Sequence, residues 1–173
     1  MAGWVCPECG IDYDTVSPPD AVVALRGYPR RFGEQLGKVL ERDNGDALVR
    51  TRPEPTVWSA VEYTAHVADL MDVMAATFDA MREGRPTLGL FWDPDKRAET
   101  EHYNDWPLDD LKSRLHAGCD GAADATAKTG PDDWKRESTF EWGDRDLLTM
   151  IRNAVHEGHH HLRDVEQVLA KVG

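Results

Sequence analysis

Apolar side chains recur at three- and four-residue steps through four stretches of the chain, the spacing that gives a helix one buried face. The first predicts a helix over residues 18–43, whose stripe is Val22, Leu25, Phe32, Leu36, Val39 and Leu40. Ser17 suits its N-cap, Pro18 takes a first position where a missing N–H costs nothing, and Gly45 marks its end. The second begins at Ser59, because Ser59 and Glu62 are spaced to satisfy each other's exposed helix-start donors. Its face carries Tyr63, Val67, Leu70, Met71, Met74, Phe78 and Met81, and Gly84 followed by Pro86 stops it. A third, alanine-rich helix starts near residues 107–109 and ends before Gly130-Pro131. The fourth covers residues 144–172 on Leu148, Ile151, Val155, Leu162, Val165 and Leu169.

Residues 85–106 contain Pro86, Gly89 and Asp93-Pro94-Asp95 and read as a long irregular connection, of the kind that forms a lid or a site wall. Phe91, Trp92, Asp93, His102 and Tyr103 are the candidates for a wall that selects substrate. Residues 131–143 set Trp134, Phe140 and Trp142 among charges, which suits a short extended crossing or a turn. Four long helices and one long crossover predict an all-α four-helix bundle. It forms one domain over residues 17–173, preceded by a Cys-containing extension, residues 1–16.

With 173 residues, 40% of them hydrophobic, the chain can bury one core. Its formal charge of −12 argues against a nucleic-acid partner, since the longest basic cluster is only Arg30-Arg31. No run of 18 apolar residues exists, and MAGWVCPECG lacks the basic and apolar regions of a secretory signal, so the expectation is a cytoplasmic protein with no membrane partner. Of the three cysteines, Cys6 and Cys9 have a C-x-x-C spacing that suits metal or redox chemistry better than a secreted disulfide framework. No second C-x-x-C follows and Cys119 falls on the third helix. The pair is therefore a metal site completed by other side chains, a redox pair, or a remnant.

The string HEGHHH, residues 156–161, carries the candidate chemistry. His156 and His160 are four apart, so on a helix they project from one side and can share an ion. They lie away from the centre of the apolar stripe, where a solvated polar face is the bland alternative. His66, on the packed edge of the second helix, supplies the third ligand that a bundle can bring from a facing helix. Three imidazoles with an open fourth position suit zinc first and nickel second, and are catalytic in type. His159 falls nearer the apolar stripe and is the substitute ligand if the helix is rotated, while His161 points elsewhere, toward solvent. His102 and His116 lack ligand-spaced neighbours and read as surface residues. The string also contains H-E-x-x-H, the zinc-peptidase pattern, but only 13 residues follow His160 and none is a histidine, so the third ligand of a peptidase is missing.

Two stretches resemble the signature regions of the DinB-like superfamily, closest to its actinobacterial branch. They are Trp58-Ser59-Ala60-Val61-Glu62-Tyr63-Thr64-Ala65-His66-Val67-Ala68-Asp69, and His156-Glu157-Gly158-His159-His160-His161-Leu162-Arg163-Asp164-Val165. The opening Cys6-Pro7-Glu8-Cys9-Gly10-Ile11-Asp12-Tyr13-Asp14 resembles that branch's N-terminal extension. The resemblance implies an up-down-down-up bundle with a divalent ion on one histidine of the second helix and an H-x-x-x-H pair of the fourth, which here are His66, His156 and His160. It also implies a thiol-dependent S-transferase or isomerase, with mycothiol as co-substrate, a small electrophile as partner, and a homodimer. An ion in such a site lowers the pKa of a bound thiol, and Glu157, Asp164 or Asp69 could orient a ligand imidazole. The alternatives are a non-catalytic metal-stabilised stress or interaction protein and, behind it, a metal-dependent hydrolase.

Overall fold

The computed structural model describes residues 3–87 and 91–173. In chain order the helices are α1 (Pro18–Leu40), α2 (Gly45–Val49), α3 (Ala60–Glu83), α4 (Pro94–Thr100), α5 (Leu108–Ala127) and α6 (Leu147–Val172). A hairpin of β1 (Glu137–Phe140) and β2 (Gly143–Asp146) lies between the last two. Both long N-terminal starts are capped as spaced: Ser59 and Glu62 bond reciprocally at α3, and Ser17 does the same with Asp20 at α1. Glu62 is also held by Arg52, at 2.6 Å, which neutralises a carboxylate that is almost fully buried.

Pairings along the helices fix their directions. Tyr28 and Gln35 of α1 bond Val155 and Glu166 of α6, so these two helices run parallel. Arg26, early in α1, meets Asp124, late in α5, so that pair is antiparallel. Gly118 of α5 lies against Ala68 of α3 and Gly121 against Ala75, which makes α3 and α5 parallel. The order is therefore up-down-down-up, with α1 and α3 each packed on both α5 and α6. Tyr28, Phe32, Met71, Met74, Phe78, Leu111, Leu115, Ile151 and Val165 fill the centre. No helix among the described residues is long and apolar enough to cross a membrane.

Four details differ from the sequence pattern. Gly45 starts α2 instead of ending α1, and a Cβ there would overlap the backbone of Val39 and Leu40, so the glycine allows the chain to double back closely. Asp93-Pro94-Asp95 is a helix start: Asp93 accepts from the Lys96 amide and Pro94 is at the first position, giving α4 inside the expected irregular connection. Gly89 of that connection lies outside the described residues. Residues 137–146 form an antiparallel hairpin, with Phe140 opposite Gly143, and not a single crossing or turn. Consequently α6 begins at Leu147, capped by Asp146, because β2 takes up the residues assigned to its first turn.

Before α1, the chain folds into a hook on the side of α6. Val5 bridges Asp12, and Tyr13, in a 3-10 turn (Tyr13–Thr15), is buried with its hydroxyl donating to Asn153 Oδ1 at 2.9 Å. Arg152 Nε donates to the Val16 carbonyl at 3.1 Å, a second tie between hook and helix.

Candidate metal centre

Each step along a helix turns the side chain by about 100°. His156 and His160 therefore share one side of α6, while Glu157 and His161 share the side next to it. The structure uses both. Potential ligand atoms of His66, Glu157 and His161 lie within 4.8 Å of one another, and so do those of Cys6, Cys9, His156 and His160. The three ligands expected from spacing are thus divided: His66 belongs to the first group, His156 and His160 to the second. The helix phase explains the division, since the side of α6 that faces α3 is the one bearing 157 and 161. His161, expected to point toward solvent, is 15% exposed and stacks edge-on to His66 with ring centres 4.9 Å apart. His102 and His116 are on the surface as expected, and His159 is half-buried in neither group.

In the first group, His66 is buried and its Nδ1 has no hydrogen-bond partner. Burial, together with the charge of His161, pulls its pKa down to about 4, so the ring is neutral at physiological pH, the form that binds a metal. Burial works against ionisation of Glu157, but the neighbouring rings of His156 and His161 outweigh it and hold the carboxyl well below the usual range. Burial likewise opposes a charge on His161, yet Asp164 at 2.9 Å and Glu157 at 3.3 Å raise it to about 9. Asp164 engages Nδ1 of His161 and leaves Nε2 directed at Glu157. Asp69 bonds no histidine: it accepts from Tyr103 Oη at 2.8 Å and Arg97 Nε at 3.1 Å. Two imidazoles and a carboxylate around an orphaned buried nitrogen fit a divalent ion with open positions.

A cleft of about 220 Å³ opens beside this group, lined by His66, Glu157, Asn153, Leu70, Met74, Phe91, Trp92, Pro94 and Trp142. Of the expected wall residues, Phe91 and Trp92 face the cleft, Asp93 caps α4, His102 is exposed, and Tyr103 is buried beneath as the partner of Asp69. Trp142, at the hairpin tip, stacks on Phe140 and meets Phe91 edge-on, closing the far side. Its role was not visible without the hairpin, whose turn places it beside Phe140.

In the second group the hook brings Cys6 and Cys9 over α6. Cys6 Sγ lies 3.7 Å from His160 Nδ1, and His160 Nε2 is 3.5 Å from Glu8 and 3.7 Å from Asp164. Burial disfavours the Cys6 thiolate, but the backbone amides of Cys9 and Glu8 and the rings of His156 and His160 more than compensate and bring it to about 6. Trp4 and Tyr13 flank the His156 ring, at 5.1 and 5.9 Å. Cys119, buried in α5, belongs to neither group, and burial pushes its thiol up to about 12.

Fold and site together define a helical bundle that gathers metal-ligating side chains at the junction of α3 and α6. The chain belongs to the DinB superfamily, which its sequence matches over residues 34–165. Its fold is similar to that of YfiT from Bacillus subtilis, a probable metal-dependent hydrolase with an unusual four-helix bundle topology. The TM-score is 0.75 at 14% identity, with 90% of this chain and 89% of that one covered. It is also similar to the mycothiol-dependent maleylpyruvate isomerase, with a TM-score of 0.68 and 16% identity over 88% of this chain. There this protein spans only 62% of the longer chain. None of the curated proteins matches the sequence.

Proposed function

We propose that the protein is a cytoplasmic metal-dependent enzyme that transfers a low-molecular-weight thiol, mycothiol, to a small electrophile at the His66, Glu157, His161 group. One observation carries this reading: His66 and Glu157 belong both to the ligand group and to the wall of the cleft, so a reactant in the cleft lies against the site. A divalent ion held there supplies a Lewis acid that favours the thiolate form of a thiol at neutral pH. The pair that faces His66 is then E-x-x-x-H, with Glu157 standing where the H-x-x-x-H pattern has its first histidine. An anionic ligand lowers the net positive charge of the site and so softens the pKa shift it can produce.

The remaining work falls to the chain's own side chains. Asp164 holds the His161 ring in one orientation. Leu70, Met74, Phe91, Trp92 and Trp142 give the electrophile an apolar seat, and Asn153 offers it an amide to bond. A groove along α4, lined by Trp92, Asp93, Lys96, Arg97 and Thr100, shares Trp92 with the cleft and offers Lys96 and Thr100 as donors to a sugar-bearing thiol. In the transfer, the sulfur lone pair forms the new C–S bond, the thiol proton goes to solvent, and the electrophile's leaving group or π pair accepts the electrons.

The test is zinc-loaded protein offered mycothiol and a panel of electrophiles, beside His66→Ala. Thiol-dependent turnover in the first, reduced by at least about 100-fold in the second, is expected, since loss of a ligand exceeds the usual cost of disturbing an outer partner. Equal rates in the two proteins sink the enzyme reading. Turnover that needs no thiol favours metal-assisted hydrolysis, the second reading, for which the likeness to YfiT speaks.

A further inference from the structure

We propose that Cys6, Cys9, His156 and His160 bind a second divalent ion, zinc by the chemistry of its donors, which fastens the N-terminal hook to α6. Two thiolates and two imidazoles make a closed tetrahedral set with no position left for substrate, so this ion is structural. The four ligand atoms already lie within 4.8 Å of one another. Distant parts of the chain have to converge for that, since Cys6 and His160 are separated by 154 positions.

Three independent features show a built site. The loop that carries both cysteines is closed by Gly10 N–H donating to the Cys6 carbonyl at 2.9 Å and Cys6 N–H donating to the Ile11 carbonyl at 2.9 Å. Gly10 takes a φ of 76°, which lets the turn close without side-chain strain. His156 is the second feature: both its ring nitrogens are buried and neither has a hydrogen-bond partner, a cost that a metal bond removes. The third is an outer layer of carboxylates. Glu157 Oε1 is 3.6 Å from His156 Nδ1, and Glu8 and Asp164 lie on the Nε2 side of His160, positions from which they orient ligand rings.

Glu157 thereby stands between the two centres, with one oxygen toward His156 and the other toward His161. The second site does not depend on the thiol-transfer reading, and the two can fail separately.

Cobalt substitution separates them. The full chain is stripped, reduced and reloaded with cobalt(II), whose bond to thiolate gives a near-ultraviolet charge-transfer band that His and Glu ligands do not produce. The expected result is two metal equivalents and the sulfur band in the wild type. Cys6→Ser/Cys9→Ser should lose one equivalent and the whole band, whereas His66→Ala should lose one equivalent and keep the band. Cys9→His, which leaves four donors, should retain both equivalents with a weaker band, and guards against a double variant that merely misfolds. Absence of the sulfur band from the reduced wild type, or equal metal content in wild type and Cys6→Ser/Cys9→Ser, overturns the proposal. A His66→Ala protein that keeps every equivalent leaves the second site standing and removes the first.

Discussion

His161 is the residue on which the pH behaviour of the His66, Glu157 and His161 group turns. Its folded pKa of about 9 lies above the model-compound value of 6.5, so a proton occupies the ring at pH 7 and an incoming ion has to displace it. Metal affinity at the His66 group should therefore rise about tenfold per pH unit from about pH 7 and level off near pH 9. Competition with a chelator of known affinity across that range is the measurement. An affinity flat above pH 7 would mean that Asp164 and Glu157 do not hold the proton. Without metal the signs are opposite for the two rings. His66, depressed to about 4, adds stability that is lost as pH falls from 6.5 toward 4, and His161 adds stability that is lost as pH rises through 9. None of this was legible from spacing. The sequence marks His156 and His160 as a pair and His161 as an outlier, because the choice between two adjacent sides of one helix depends on how α6 is rotated against α3. That rotation is set by packing elsewhere.

At the level of elements, Gly158 sets how closely α6 approaches α1. A Cβ at this position would overlap the ring of Tyr28, whose hydroxyl donates to the Val155 carbonyl at 2.7 Å. Gly158→Ala should cost about 1–3 kcal/mol, the range for overpacking a filled core, and should weaken both metal groups because it displaces the helix they share. Gly33→Ala on α1 is the control: nothing lies within 4 Å of its added methyl, so the change should be neutral or stabilise by up to about 1 kcal/mol. Urea denaturation of the two variants decides, and equal midpoints would show that α1 and α6 can separate freely. Helices α1 and α3 were readable because each has a stripe and a side-chain cap, at Ser17 and Ser59, whereas α5, whose N-cap Pro107 makes no side-chain bond, was readable from its stops. The hairpin was not: β1 and β2 have four residues each, too few for alternation to register against their charged neighbours. Nor was α4, whose N-cap was visible as Asp93-Pro94 yet resembled a turn.

For the whole molecule, the bundle has a continuous core of its own, whereas the hook rests on α6 through few side chains, chiefly Tyr13, Trp4 and the ligand group. Chelation should consequently release the hook first. Metal-free protein is expected to keep its far-ultraviolet helical signal while residues 1–16 become the first segment cut by a protease of broad specificity, and zinc should restore resistance. Cleavage that begins between the bundle helices would instead place the weak point in the core. The sequence announced the hook's cysteines but not their partners, because contacts between residues 154 positions apart leave no local pattern. Six consecutive residues of α6 thus carry two interleaved reading frames, 156/160 and 157/161, each addressed to a different part of the chain. A single residue inserted upstream within that helix would turn the imidazole pair toward His66 and carry the mixed pair past it, and a single deletion would turn the mixed pair toward the cysteines and carry the imidazole pair past them. The string is therefore intolerant of a change of length as well as of a change of ligand, and the ordinary drift of a histidine-rich segment is closed to it.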